Sequence, residues 1–498
     1  MKKTTAFILI IALLALCLAA CEQGVEGLSD APSDALSDAL SGTNSQEPVI
    51  KTEIKDMEKR EFNVLCWHFG ANSKSILGFT GEIMYAEENP SAVDQAKKLV
   101  VDKIESDYNC TINGELISTG SIPNIIKNQV TSGVHYYDII FDSPFTTAKM
   151  VPDKLILDLN AVPNINLSDP WWDQNAVKDF SIANKVYFAC GDINTYDDQG
   201  TWCVLFNKTL KEKLGISEDF YQLVRDDKWN YDKFVEICKN NVTANTNGDN
   251  VLDEKDTWAF GTERGNIYIQ VVGAGLKIVQ KDDNDLPYLT VEKEPEATFA
   301  ILSDVLDFYN DQQTVMVANA PPYTNKGFDN VWEATVHKAF IEGRELFYMC
   351  GLINSASFRV MEDEFGILPI PKYYKNQDRY YHTVSTSNSS VMSIPEGTEG
   401  IEDVGLIISA IAEQSMHTVT PAYYDVQLKY RDSRDDESGE MLDLIFSTRT
   451  FDLGNTFEWG NIRNEYRSMS KSDIASRFEK VVSSVNRAMN STVDKILE

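Results

Sequence analysis

The segment Asn245-Thr246-Asn247-Gly248-Asp249-Asn250-Val251-Leu252-Asp253-Glu254-Lys255-Asp256 carries the sharpest chemical spacing in the chain. Side-chain oxygens fall at loop positions one, three, five, nine and twelve, on Asn245, Asn247, Asp249, Asp253 and Asp256, and Val251 can offer its carbonyl at position seven. That is the spacing with which an EF-hand loop wraps a calcium ion in oxygens. It departs from the full pattern in three places: Asn245 replaces the first Asp, Asn250 the turn glycine and Asp256 the closing Glu. Asn tolerates the left-handed turn. A plain Asn-rich turn is the simpler alternative; the spacing favours a structural calcium ion.

Flat rings with polar neighbours make a second set of candidates: Trp67, Trp171, Trp202, Trp332, Tyr423 and Trp459, with Asp142 and Arg359 as polar partners. Aromatic faces stack on the C–H patches of sugars, and carboxylates and amides pair with their hydroxyls. Any single tryptophan is more often core than ligand contact, because aromatics dominate core burial. Trp67 and Asp142 stand out because each ends a predicted strand, and Trp202, Trp332 and Trp459 because their neighbours are polar and loop-like. Trp172 reads as packing beside Trp171. Arg359 has Glu362 or Asp363 as alternative partners on a helix face.

Catalytic motifs are absent. No GxSxG, HExxH or P-loop occurs, and His68, His135, His337, His382 and His417 lack metal-ligand spacing. With 76 acidic residues a glycosidase-like carboxylate pair would be met by chance, so the expectation is a protein that is not an enzyme. Cys66, Cys110, Cys190, Cys203, Cys238 and Cys350 are scattered without a CxxC pair. Cys66, Cys110 and Cys350 read as small hydrophobes, and Cys190 and Cys203, which flank a loop, could bridge.

The elements that must hold these residues begin with an alternation. Glu61–Trp67 reads as a strand, Ser91–Tyr108 as a helix with Val93, Ala96, Leu99, Val100 and Ile104 on one stripe, and 109–117 as a second strand. A short helix at Ile122–Val130 and a strand at Tyr137–Phe141 follow. Apolar strands alternating with helices imply a parallel sheet covered on both faces, with ligands outside the carboxyl ends of its strands. Further strands are expected at Lys185–Ala189, Val204–Lys208 and Phe365–Pro371, and helices at Trp229–Lys239, Ala297–Asn310 and Asp473–Leu497.

The amino terminus addresses the chain. Lys2 and Lys3 precede an apolar run from Ala6 to Leu16, too short for a comfortable span of about 20 residues, and Leu18-Ala19-Ala20-Cys21 follows. A charged start, an apolar core and a small-residue exit describe a secretory signal peptide over 1–20. The exit resembles the lipobox of bacterial lipoproteins, which implies cleavage before a lipidated Cys21. Residues 21–58 are small, polar and acidic, with too few bulky apolar groups to offset ordering, and read as a tether.

The formal net charge is −31, and loss of Lys2 and Lys3 with the leader takes it two units lower. Such a surface repels nucleic acid and anionic lipid, so neither is expected as a partner, and the membrane contact is the lipid anchor alone.

Taken in order, the lipobox, the strand ending in Trp67, Asp138-Ile139-Ile140-Phe141-Asp142, Asn184-Lys185-Val186-Tyr187-Phe188 and Leu205-Phe206-Asn207-Lys208 resemble family 1 extracellular solute-binding proteins. So do Trp229-Asn230-Tyr231-Asp232-Lys233-Phe234, Phe365-Gly366-Ile367-Leu368-Pro369-Ile370-Pro371, Met392-Ser393-Ile394-Pro395 and Pro421-Ala422-Tyr423-Tyr424. The resemblance implies a type II periplasmic-binding-protein-like α/β fold: two lobes, each a mostly parallel sheet flanked by helices, joined by a hinge over residues 59–498. Lobe one is expected at about 59–165 plus 320–385, and lobe two at about 170–319 plus 386–498. It further implies a monomeric binding component of an ABC importer, lipid-anchored on the outer face of a Gram-positive cell membrane. That component would take up a small solute, a sugar and most simply an oligosaccharide, and deliver it to the permease subunits without an organic cofactor. A tethered carbohydrate-active enzyme and a sensory ligand-binding module are the competing readings.

Overall fold

A computed structural model of the chain describes residues 50–68, 81–118, 120–242, 246–249, 251–425, 428 and 436–498. The leader, Cys21, the tether up to residue 49, and Asn245 and Asn250 of the calcium-like loop lie outside the described residues. The carboxyl-terminal part of the expected tether is not free. The Lys51 and Thr52 amides donate to the Glu413 carboxylate at 2.7 and 2.9 Å, and Met57 is buried. Residues 50–58 therefore belong to the folded body.

In chain order the strands are β1 (Arg60–His68), β2 (Cys110–Ser118), β3 (Ile139–Asp142), β4 (Trp202–Asn207), β5 (Trp258–Thr262), β6 (Val279–Lys281) and β7 (Pro287–Leu289). They continue with β8 (Val315–Val317), β9 (Glu345–Gly351), β10 (Phe365–Leu368), β11 (His382–Thr383), β12 (Val391–Ser393) and β13 (Arg449–Thr450). A four-stranded sheet runs β12-β3-β1-β2, and a five-stranded sheet runs β10-β4-β9-β5-β8. In the first, β1 is parallel to β2 and β3, and only β12 is reversed. The second is evenly mixed, because β4 runs against both β9 and β10 while β5 is parallel to β8 and β9. The expectation of two mostly parallel sheets thus holds for the first only.

The chain crosses between the sheets at other points than expected. β9 and β10, within the 320–385 stretch assigned to lobe one, belong to the second sheet, and β12, within the 386–498 stretch assigned to lobe two, belongs to the first. The cause is pairing: β9 sits between β4 and β5, and Val391–Ser393 closes the edge beside β3.

Both faces of β1 are buried. Leu65 and Trp67 enter one apolar core, and Phe62, Val64 and Cys66 enter another. The helix Ala92–Tyr108 covers this sheet. Its N-cap Ser91 accepts from the Asp94 amide at 3.1 Å while Asp94 accepts from the Ser91 amide at 2.9 Å, a capping box that fixes the start of the helix. The apolar run 185–189 is not a strand. Val186, Phe188 and Ala189 are buried as expected, but the run pairs only through bridges at Lys185 and at Ala189, the latter to Met392. All six described cysteines are buried and free. The Cys190–Cys203 bridge is not formed; Cys203 lies in register opposite Cys350 across β4 and β9 instead.

Candidate functional site

The parallel strands of the second sheet deliver their carboxyl ends to one edge. Past β5 come Glu263, Arg264, Gly265 and Asn266; past β8 comes Asn319; at the end of β9 come Met349, Cys350 and Gly351. β4 runs the other way, so its first residue, Trp202, reaches the same edge, in register with Gly351. These groups, with Trp332 and Asn354, wall a cavity of about 590 Å³. Its remaining walls come from Ser385, Ser387 and Asn388, on the segment that leads back to β12, and from Arg463 and Arg467 on the helix Ile462–Ser468. Ligands of open α/β sheets sit outside the carboxyl ends of the strands, and this cavity occupies that place.

Its chemistry is mixed. Trp202 and Trp332 are half-buried, so each has ring surface left to offer, and the Trp332 indole is aimed by donating to the Tyr348 hydroxyl at 2.8 Å. Asn354 is buried and donates to the Gly351 carbonyl at 3.0 Å, while its Oδ1 accepts nothing from the described residues. Arg463 reaches the hydroxyls of Thr386 and Ser387 at 3.5 and 3.3 Å, and Arg264 donates to the Met469 carbonyl at 2.6 Å. Burial pushes the Glu263 carboxyl up from its ordinary value, with Arg467 opposing. Burial also draws Arg463 down to about 10, helped by the like charge of Arg467. Rings for C–H faces and amides and guanidiniums for hydroxyls suit a polar ring compound.

The remaining sequence candidates lie elsewhere. Trp67 is 1% exposed inside the first core, and Asp142 is fully buried with its Oδ1 accepting from the Ser143 amide at 2.7 Å. Trp459 stacks on Phe457 at 4.6 Å and donates to the Thr492 hydroxyl at 2.9 Å. Tyr423 is buried in the second core. Arg359 lies at the end of the short helical turn Leu352–Val360, and the cavity wall nearest it in sequence stops at Asn354. Trp171 lines a separate cavity of about 320 Å³ with Asp192, Asp198, Asp443 and Arg449. There Arg449 is paired with Asp173 at 2.7 Å and Asp197 at 3.3 Å, and also with Asp198. The arginines and amides of the main cavity escaped notice. The polar run Glu263–Asn266 directly after an apolar strand was a signal, by the strand-end rule applied to Trp67.

In the described part of the calcium-like loop the carboxylates bond to backbone amides. Asp249 accepts from the Val251 amide at 2.8 Å, Asp253 from the Lys255 amide at 2.9 Å, and Asp256 from the Asp253 amide at 3.0 Å. Lys326 lies 3.6 Å from Asp253 and 2.5 Å from Glu254. Among the described residues no three His, Cys, Asp or Glu converge as a metal site. Among the described residues the loop's carboxylates are thus engaged by backbone amides and Lys326.

A scan of protein-family models finds no match, and a comparison with curated proteins finds none either. Solved structures do match. UspC of Mycobacterium tuberculosis, at 14% identity, superposes with a TM-score of 0.54, covering 86% of this chain and 100% of its own. A cyclo/maltodextrin-binding protein solved with maltotetraose, at 11% identity, gives 0.53 over 88% of this chain and 97% of its own. The ABC substrate-binding protein Lmo0181 of Listeria monocytogenes, solved with cycloalternan, gives 0.50 at 11% identity over 88% and 98%. At such identities the likeness establishes the fold, that of the two-lobed substrate-binding proteins.

Proposed function

We propose that this chain is the extracellular substrate-binding lipoprotein of an ABC importer, a family 1 solute-binding protein that holds a carbohydrate in the cleft at the edge of the second sheet. The observation that carries the reading is the cavity of about 590 Å³ whose wall includes Trp202 and Trp332 together with Asn266, Asn354 and Asn388. The neighbours in fold include proteins solved with maltotetraose and cycloalternan, which supports a sugar as the solute. Closure of the lobes follows if the closed form makes contacts with the sugar that the open form lacks. Import rests on the same fold likeness, and membrane anchoring on Leu18-Ala19-Ala20-Cys21.

An enzyme is the second reading considered. Glycoside hydrolysis uses two carboxyl groups flanking the bond, and among the described residues Glu263 is the one carboxylate in the cavity wall. Binding without turnover is therefore favoured. The test is calorimetric titration of the mature protein against a panel of oligosaccharides, with product analysis of the same mixtures. Saturable binding with the sugar recovered intact is expected; shortened sugar would overturn the reading in favour of hydrolysis.

A further inference from the structure

The main cavity holds three arginines, Arg264, Arg463 and Arg467, against the single carboxylate of Glu263. The imbalance stands out in a chain of net charge −31. Among the described residues none of the three guanidiniums makes an ion pair with a carboxylate, although such pairs are plentiful elsewhere on the surface. Arg463 and Arg467 sit four residues apart on the helix Ile462–Ser468, the spacing at which like charges face each other and destabilise a helix. Gly265 keeps the turn beside them open: a Cβ there would lie 3.3 Å from the Arg467 Nε. Arg463 is half-buried and hydrogen-bonds only to two neutral hydroxyls, with the Glu458 carboxylate acting on it from beyond ion-pair distance.

Three guanidiniums against one carboxylate leave positive charge in excess at the cavity wall, which an anionic ligand would neutralise. A guanidinium is the donor whose fork matches an oxyanion bidentately. We infer that the cleft selects an acidic saccharide, one bearing a carboxylate or sulfate group that docks between Arg463 and Arg467 while its ring faces meet Trp202 and Trp332. The inference rests on the carbohydrate reading of the cleft and names its substrate class. The long-range field of an acidic protein opposes such a ligand, but beyond a Debye length of about 8 Å that field is screened at physiological salt. The guanidiniums inside the cleft then dominate.

The experiment is titration of the mature protein with matched ligands: uronate oligosaccharides, the same sugars with their carboxyls reduced to alcohols, sulfated oligosaccharides, neutral maltooligosaccharides, and inorganic sulfate alone. An acidic oligosaccharide should bind at least about tenfold more tightly than its neutral counterpart, and the preference should weaken as salt rises. Uronate and sulfated arms tell the two oxyanions apart. Arg467→Gln, at an exposed position, and Arg463→Gln should each remove about tenfold of affinity for the acidic sugar and little for a neutral one. Equal or tighter binding of the neutral counterparts would overturn the selection and leave the carbohydrate reading standing. Inorganic sulfate bound as tightly as any sugar, or no binding across the panel, would overturn both.

Discussion

At the scale of the residue, tryptophans of the same type have opposite duties. Trp67 lies one residue from the end of β1, near where a ligand contact in this fold would stand, but it continues the alternation of Leu65 into the core. Trp67→Ala should therefore cost about 3–5 kcal/mol of stability, as large-to-small core changes do, and leave ligand affinity largely intact. Thermal melts and titration of one variant check both. Asp142 offers a second test. Burial pushes its carboxyl up from 3.8 to about 7, only partly opposed by the Ser143 amide and Lys149. Between those values the folded state holds more protons than the unfolded one, so this group's contribution to stability falls as pH rises from about 4 to about 7 and then levels off. Asp142→Asn should gain on the wild type across that window, and parallel melting curves from pH 4 to 8 would contradict it. Residue type was legible in the sequence; burial was not. A strand-end position marks the cleft and the core edge alike, and only the second sheet shows that the strands facing the cavity are β4, β5, β8 and β9.

Elements were read best where local signals agreed. The apolar stripe places the helix Ala92–Tyr108 to within a residue, and the capping box at Ser91 is the physical reason it starts there. Asn230 likewise caps Tyr231–Asn241 by accepting from the Lys233 amide. The run 185–189 misled because its apolar residues are buried without a ladder beside them. The loop at 245–256 is ambiguous for a different reason: Asx turns and calcium loops both place Asn and Asp at alternate positions, and Lys326, which engages Asp253 and Glu254, is distant in sequence. The described hydrogen bonds predict that a calcium chelator leaves the melting temperature unchanged. A drop restored by added calcium, and abolished in Asp249→Ala, would mean that an ion stabilises the folded state by mass action.

At the scale of the whole molecule, the two-lobed α/β fold was legible in the order of many weak motifs, while the crossover points were not. Three residues at β12 decide which sheet the chain rejoins, and so short a strand has no periodicity to read. Anchoring is also a property of the whole chain. With Cys21 lipidated, Cys21→Ala should release the protein from membrane to medium; unchanged retention and mass would contradict the anchor. The central claim, that the cleft at the edge of the second sheet binds a sugar on Trp202 and Trp332, is tested most directly by titrating the preferred oligosaccharide into Trp202→Ala and melting the same variant. Loss of a stacking ring worth about 0.5–1.5 kcal/mol beyond its buried area should weaken binding roughly tenfold with little change in melting temperature. Unchanged affinity together with a large loss of stability would show that the ring is structural and that the ligand sits elsewhere.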